Sequence, residues 1–145
     1  GLKYHKQQEA AHLLGQLFAE QFQSGDRPQV LLPVPLHWWR QWHRGYNQAE
    51  LLAKEISSQL GIPLDSHLLK RHRATPSQAR LGRAARQRNL RHAFSLGSHD
   101  YQHVALIDDI VTTGATAREL TRRLKHSGVK KVEVWAICRT LRDAV

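Results

Sequence analysis

Residues 104–116 read Val-Ala-Leu-Ile-Asp-Asp-Ile-Val-Thr-Thr-Gly-Ala-Thr, and the arrangement of the rest of the chain follows from them. Val104, Ala105, Leu106 and Ile107 form a short apolar run, which suits a parallel strand buried on both faces. Asp108 and Asp109 stand where that run ends. Ile110 and Val111 follow, then a small, hydroxyl-rich turn of Thr112, Thr113, Gly114, Ala115 and Thr116. From 117 to 126 the pattern is helical, with Leu120 and Leu124 on one face and charged residues elsewhere.

A strand that breaks into a helix through small residues leaves backbone N–H groups pointing outward. The first of these have no partner inside the helix, and the helix dipole favours an anion beside them. Gly114 lets a phosphate approach the backbone closely, while Thr112, Thr113 and Thr116 add hydroxyl donors. Asp108 and Asp109 suit the hydroxyls of a sugar or a hydrated Mg²⁺. Phosphate donors and carboxylates so close together suggest a ribose 5-phosphate held at both ends. The alternative is a plain strand–turn–helix with a Thr N-cap. A Walker B strand also ends in acids, but the sequence holds no G-x-x-x-x-G-K-[ST] segment to accompany one.

The chain has 145 residues, enough for one domain with a sizeable core. No apolar run approaches the roughly 18 residues that a membrane helix needs, so no membrane insertion is expected. No signal peptide is visible. The single Cys138 cannot form an internal disulfide, and a cytoplasmic protein is the simple reading. The sequence contains no Met, and we expect a fragment of a longer protein in which Gly1 is a cloning remnant. The net charge is +10, and its location matters more than its size. Residues 70–92 hold seven Arg and one Lys with no acid, which leaves +2 for everything else. Such a basic face suits polyphosphate or nucleic acid, and a solvated basic helix is the plainer alternative.

Outward from the central stretch, residues 2–22 read as an amphipathic helix through Leu13, Leu14, Leu17, Phe18 and Phe22, broken by residues 24–28. Residues 30–34 are a second buried-strand candidate, which Pro33 and Pro35 lead out of the sheet. Trp38, Trp39 and Trp42 follow closely, either as packing or as a stacking surface for a base. Residues 44–48, Arg-Gly-Tyr-Asn-Gln, open a helix whose apolar face is Ala49, Leu52, Ala53, Ile56 and Leu60, with Gly61 as its cap. Polar groups at a strand's carboxyl end lie on the ligand side of an open α/β sheet. Ile62, Pro63 and Leu64 make a short extended piece, and Leu68 with Leu69 suggests another strand. Residues 79–93 give a helix with a thin apolar face, and Phe94 and Leu96 return to the core. Ser127 and Gly128 end the later helix, and residues 131–137 form a last strand. This order predicts a mostly parallel sheet with helices on its faces. His99 and His103 lack the partners of a known metal motif, so no structural zinc site is expected.

The central stretch resembles the 5-phosphoribosyl-1-pyrophosphate (PRPP) loop of type I phosphoribosyltransferases at every position: an apolar strand, two acids, two apolar residues, then Thr/Ser-Thr/Ser-Gly-x-Thr/Ser. Across nearly its whole length the sequence is similar to the ComF family, GntX-type proteins included. The matching blocks are LKYHK, PVPLHWWRQWHRGYNQAELLA, RHRATPSQARLGRAARQRNLRHAF and VALIDDIVTTGATA. The resemblance implies one type I phosphoribosyltransferase-like domain over residues 1–145: an α/β fold with a mostly parallel open sheet and helices on both faces. The zinc ribbon of Cys pairs that the family typically carries at its amino terminus is absent from this sequence.

By the same resemblance, Asp108 and Asp109 face the ribose hydroxyls with Mg²⁺ nearby, and Thr112, Thr113, Gly114, Ala115 and Thr116 wrap the 5-phosphate. Arg44 belongs to the PRPP-binding set, because the segment after Pro35 lies near the pyrophosphate. Residues 71–94 correspond to a loop that closes during catalysis, with Arg71, Arg80 and Arg86 leading the candidates to meet the pyrophosphate. The expected ligand is PRPP or a nucleotide monophosphate. Transfer of ribose-5-phosphate to an unidentified nitrogen acceptor, linked to DNA uptake in natural transformation, is the enzymatic reading. A non-catalytic module for single-stranded DNA, or a subunit that docks a competence-machinery protein through its basic face, is the other.

Overall fold

A computed structural model describes residues 9, 12, 13, 16, 26–35, 48–72, 93–111 and 114–139, with the backbone alone at 48, 109–111 and 137–139. Its strands are β1 (Val30–Pro33), β2 (Leu69–Arg71), β3 (Phe94–Leu96), β4 (His103–Val111) and β5 (Lys131–Arg139). Its helices are α1 (Gln48–Leu60) and α2 (Ala115–His126). Glu9, His12, Leu13 and Gln16 are helical, as expected within residues 2–22, but Leu13 of the expected apolar face is 60% exposed.

The parallel sheet has the order β1-β4-β5. Val30 pairs with Val104, Pro33 with Ile107, and His103 through Ile107 with Lys131 through Trp135. The extended piece at Leu64 adds a parallel bridge to Leu31 on the outer side of β1. On that side Leu31 accepts from the Asp65 amide and donates to the Pro63 carbonyl. Two residues on, Pro33 has no N–H to offer, and pairing stops.

Strand periodicity sends alternate residues to opposite faces. Val30, Leu32, Val34, Val104 and Leu106 pack with Leu120 and Leu124 of α2, and with Leu69 and Phe94. Leu31, Ala105, Ile107 and Trp135 pack with Leu52, Ala53, Ile56 and Leu60 of α1. Helices therefore cover both faces of a parallel sheet, as the near-continuous apolar runs require. Fully burying a leucine stabilises by about 1.5–3 kcal/mol, against about 0.2–0.5 kcal/mol for a helical ion pair. Leu120 and Leu124, both 0% exposed, thus decide where α2 sits more than does the Glu119–Arg122 pair, whose arginine is exposed. At the end of α1, Gly61 takes a left-handed φ of 71°, and Arg27 donates to the Leu60 carbonyl at 2.7 Å.

Three local expectations change. β4 does not end at Ile107 but runs to Val111, because parallel pairing with β5 continues at Asp108 with Ala136 and at Val111 with Arg139. The two acids therefore lie inside β4, at the point where β1 ends. Helix α2 begins at Ala115, two residues before the 117 at which the helical pattern starts, with Gly114 rather than a threonine as N-cap. β2 and β3 form a separate antiparallel pair, Leu69 with Leu96 and Arg71 with Phe94, so residues 73–92 are an insertion between two hairpin strands. The helix expected over 79–93 lies outside the described residues except at Ala93. Among the described residues, no helix is long and apolar enough to cross a membrane.

Candidate functional site

The site is built at the carboxyl edge of the sheet. The Val34 amide donates to the Ile107 carbonyl at 2.9 Å, where β1 ends. Asp108 is the next residue of β4, half-buried, and paired with β5. It continues the row of Val104 and Leu106, which faces α2 and the β2–β3 hairpin. Asp109 follows in the strand backbone.

Gly114 then turns the chain with φ 78° and ψ 1°, a left-handed conformation that costs any other L-residue about 1–2 kcal/mol. Among the described residues no side chain caps α2, and its first turn holds no acid. Ala115 and Thr116, both half-buried, open the helix. An uncapped helix start with small residues and a left-handed glycine suits an anion better than it suits a structural N-cap.

The hairpin stands beside α2. His99 Nε2 lies 2.7 Å from Ser127 Oγ at the C-terminal end of α2. Phe94 accepts a hydrogen bond from the Arg123 guanidinium, one turn closer to Gly114. The hairpin therefore climbs α2 towards the helix start. Its neck is closed by the His72 amide donating to the Ala93 carbonyl at 2.6 Å, and by the Arg71 guanidinium 5.0 Å above the Phe94 ring.

Of the expected site residues, the structure brings Asp108, Gly114, Ala115 and Thr116 to one edge and sets Arg71 at the hairpin neck on the same face. Thr112, Thr113, Arg44, Arg80 and Arg86, and the three neighbouring Trp residues, lie outside the described residues. Sequence reading missed Arg118, whose guanidinium folds back over Gly114, and Arg123, which holds Phe94. The four-residue spacing of Gly114 and Arg118 in a helical pattern was a usable signal for the first. Nothing in the sequence pointed to the second.

The residue types at 108 and 109 are hard oxygen donors suited to Mg²⁺. Among the described residues, no group of three or more His, Cys, Asp or Glu could hold a metal ion. The donor set thus fits an ion that arrives with a phosphate ligand and keeps its waters, not a dedicated protein cage.

The chain matches the family described as the phosphoribosyl transferase domain over residues 46–144, and it belongs to that family. It is 42% identical over 116 residues to Competence protein F of Haemophilus influenzae, covering 77% of this chain and 51% of that protein. It is 37% identical over 147 residues to DNA utilization protein YhgH of Escherichia coli strain K12, covering 97% of this chain and 65% of that one. The chain thus spans about half to two thirds of the length of these curated relatives. Their names agree with the ComF resemblance of the Arg-Gly-Tyr-Asn-Gln block.

Among solved structures, the fold is similar to a hypoxanthine phosphoribosyltransferase from Staphylococcus aureus, with TM-score 0.54 and 13% identity over 95% of this chain and 65% of that one. A purine phosphoribosyltransferase from Pyrococcus horikoshii gives TM-score 0.51 and 19% identity over 91% and 72% of the two chains. At those identities the likeness is one of fold. It confirms the α/β architecture with a parallel sheet.

Proposed function

We propose that this domain binds PRPP with Mg²⁺ and transfers its ribose-5-phosphate to a nitrogen acceptor, in the handling of incoming DNA within the cytoplasm. The observation that carries this reading is the single edge shared by the half-buried Asp108 and the glycine-capped start of α2. Carboxylates there can accept from ribose hydroxyls while helix amides meet the 5-phosphate. The place in DNA handling comes from the relatives, named for competence and for DNA utilization.

In this reaction the acceptor nitrogen forms a bond to C1 of the ribose as the C1–O bond to pyrophosphate breaks. The pyrophosphate leaves with the electron pair, and the nitrogen gives up a proton. Mg²⁺, when bound, neutralises charge on the departing pyrophosphate. The work of the chain is positioning and charge stabilisation. Asp108 and Asp109 orient the ribose, and Thr112 through Thr116 fix its phosphate. Arg71, Arg80 and Arg86 are assigned to the pyrophosphate and to excluding water. Arg44, after the end of β1, completes the PRPP contacts.

An acceptor screen with Mg²⁺ and PRPP, read by pyrophosphate release, tests the assignment. Release that depends on one acceptor, and is lost in Asp109→Asn, supports it. A second reading, binding of single-stranded DNA or a competence-machinery protein without turnover, draws on the charge of residues 70–92 and on the relatives' names. DNA binding that weakens steeply with salt and ignores Asp109→Asn, without pyrophosphate release from any acceptor, would favour it.

A further inference from the structure

We propose that His103 is held as an imidazolium and works as a pH-sensitive clasp at the edge of the sheet opposite Asp108. The inference is independent of the PRPP reading and uses none of its residues. His103 opens β4, is 8% exposed, and has no part in the proposed reaction. Its Nε2 lies 2.6 Å from Glu133 Oε2 on β5, and its Nδ1 lies 3.5 Å from Asp26 Oδ1 in the segment before β1. Gln29 ties the same segment to the start of β4. Its amide donates to the His103 carbonyl at 2.8 Å, and its Oε1 accepts from the His103 amide at 3.1 Å. One ring therefore joins three stretches of chain that are far apart in sequence.

Both ring nitrogens face carboxylates. A neutral imidazole donates from one nitrogen and leaves a lone pair on the other. Here that lone pair would point at an anion in either tautomer, whereas the imidazolium donates to both. Charge gives the same answer. Lys131 Nζ stands 3.1 Å from Asp26 Oδ2, so two carboxylates and one ammonium surround the ring, and its second proton brings the cluster to neutrality. Strand alternation puts His103 on the face that α1 covers, with Ala105 and Ile107. Among the described residues, none of the charged groups of α1, which are Glu50, Lys54 and Glu55, pairs with His103, and Glu55 is taken by His12. A charge this near to burial persists only when paired, and Glu133 and Asp26 supply the pairing.

The sign of the pH dependence follows. Below the ordinary histidine value of about 6.5, folded and unfolded chains both carry the proton and the clasp is closed. As the pH rises past it, the unfolded chain releases the proton and the folded chain keeps it. Stability then falls until the folded chain releases it too. Asp26 does not limit this window, because its carboxyl is held below the ordinary 3.8, chiefly by Lys131 and to a smaller extent by His103.

The test melts the whole chain as wild type, His103→Gln and Glu133→Gln between about pH 6 and pH 9, and follows the histidine ring ¹⁵N signals over the same range. His103→Gln should melt at least about 3 °C below the wild type at the acid end, the scale of one charged hydrogen bond, and the gap should close towards the alkaline end. The wild-type His103 ring should carry both protons at pH 7, and should release one at lower pH in Glu133→Gln. The ring signals decide the matter should His103→Gln not fold. A neutral His103 ring at pH 7 in the wild type would overturn the inference. So would a gap between wild type and His103→Gln that stays constant with pH, which is what a purely structural histidine gives.

Discussion

The Val34 amide donates to the carbonyl oxygen of Ile107, and with this bond the pairing of β1 with β4 closes. One residue on, Asp108 keeps β5 as a neighbour but has passed the end of β1. This step in the sheet sets an acid at an open edge, on the face that α2 and the hairpin cover.

Under the proposed function Asp108 serves a ligand, so its charge should be dispensable for folding. Asp108→Asn keeps the shape and removes one of two adjacent negative charges, so its melting temperature should match or exceed that of the wild type. Asp65 is a second acid to compare. Its Oδ1 accepts from the His67 and Leu68 amides, and its Oδ2 from the Tyr101 hydroxyl, each at 3.0 Å. Asp65→Ala should cost about 1–3 kcal/mol by denaturant unfolding.

Gly114→Ala should cost about 1–2 kcal/mol from its left-handed φ, with Arg118 forced aside as well. Gly97→Ala is the control. Its Cβ would meet Leu68 Cδ1 at 3.6 Å, an ordinary contact, and its stability should change by less than about 1 kcal/mol. Denaturant melts of the two variants decide it.

Leu120→Ala should cost about 2–5 kcal/mol, because the side chain is wholly buried between α2 and the sheet. A loss below about 1 kcal/mol by chemical unfolding would contradict the packing of α2.

Glu55 links α1 to the amino-terminal helical residues. His12 Nδ1 lies 2.7 Å from its carboxylate, and Gln59 Nε2 donates to it at 3.0 Å. Chiefly the His12 hydrogen bond, and then that of Gln59, holds its carboxyl below the ordinary 4.5. A depressed folded-state pKa stabilises the fold above the unfolded value, and that contribution fades as the pH falls through the folded one. Glu55→Gln should therefore melt slightly below the wild type at pH 7. The gap should close as the pH drops below about 4.5. A gap independent of pH would contradict the hydrogen-bonded carboxylate at Glu55.

What the sequence made legible was periodic. Leu52, Ala53, Ile56 and Leu60 announced the buried face of α1, and Val104 through Ile107 announced the central strand. The turn before α2 was legible because small residues around Gly114 break the strand pattern before the helical one begins. Strand extent was not legible, because Asp108 and Asp109 look like a strand's end while backbone pairing with β5 ignores their charge. The antiparallel pairing of β2 and β3 spans a long insertion, so no local signal joins Arg71 to Phe94. Arg118 was passed over because a charged residue on a helix is solvent-facing by default, and only the fold shows it turned onto Gly114.

The central claim is that residues 104–116 form a working Mg²⁺–PRPP site. Calorimetric titration of the chain with PRPP, with and without Mg²⁺, beside an Asp108→Asn/Asp109→Asn double variant, tests it most directly. Mg²⁺-dependent binding that the folded double variant loses is the predicted result. A folded wild type that takes up no PRPP at millimolar concentration, or a double variant that binds as the wild type does, would contradict it.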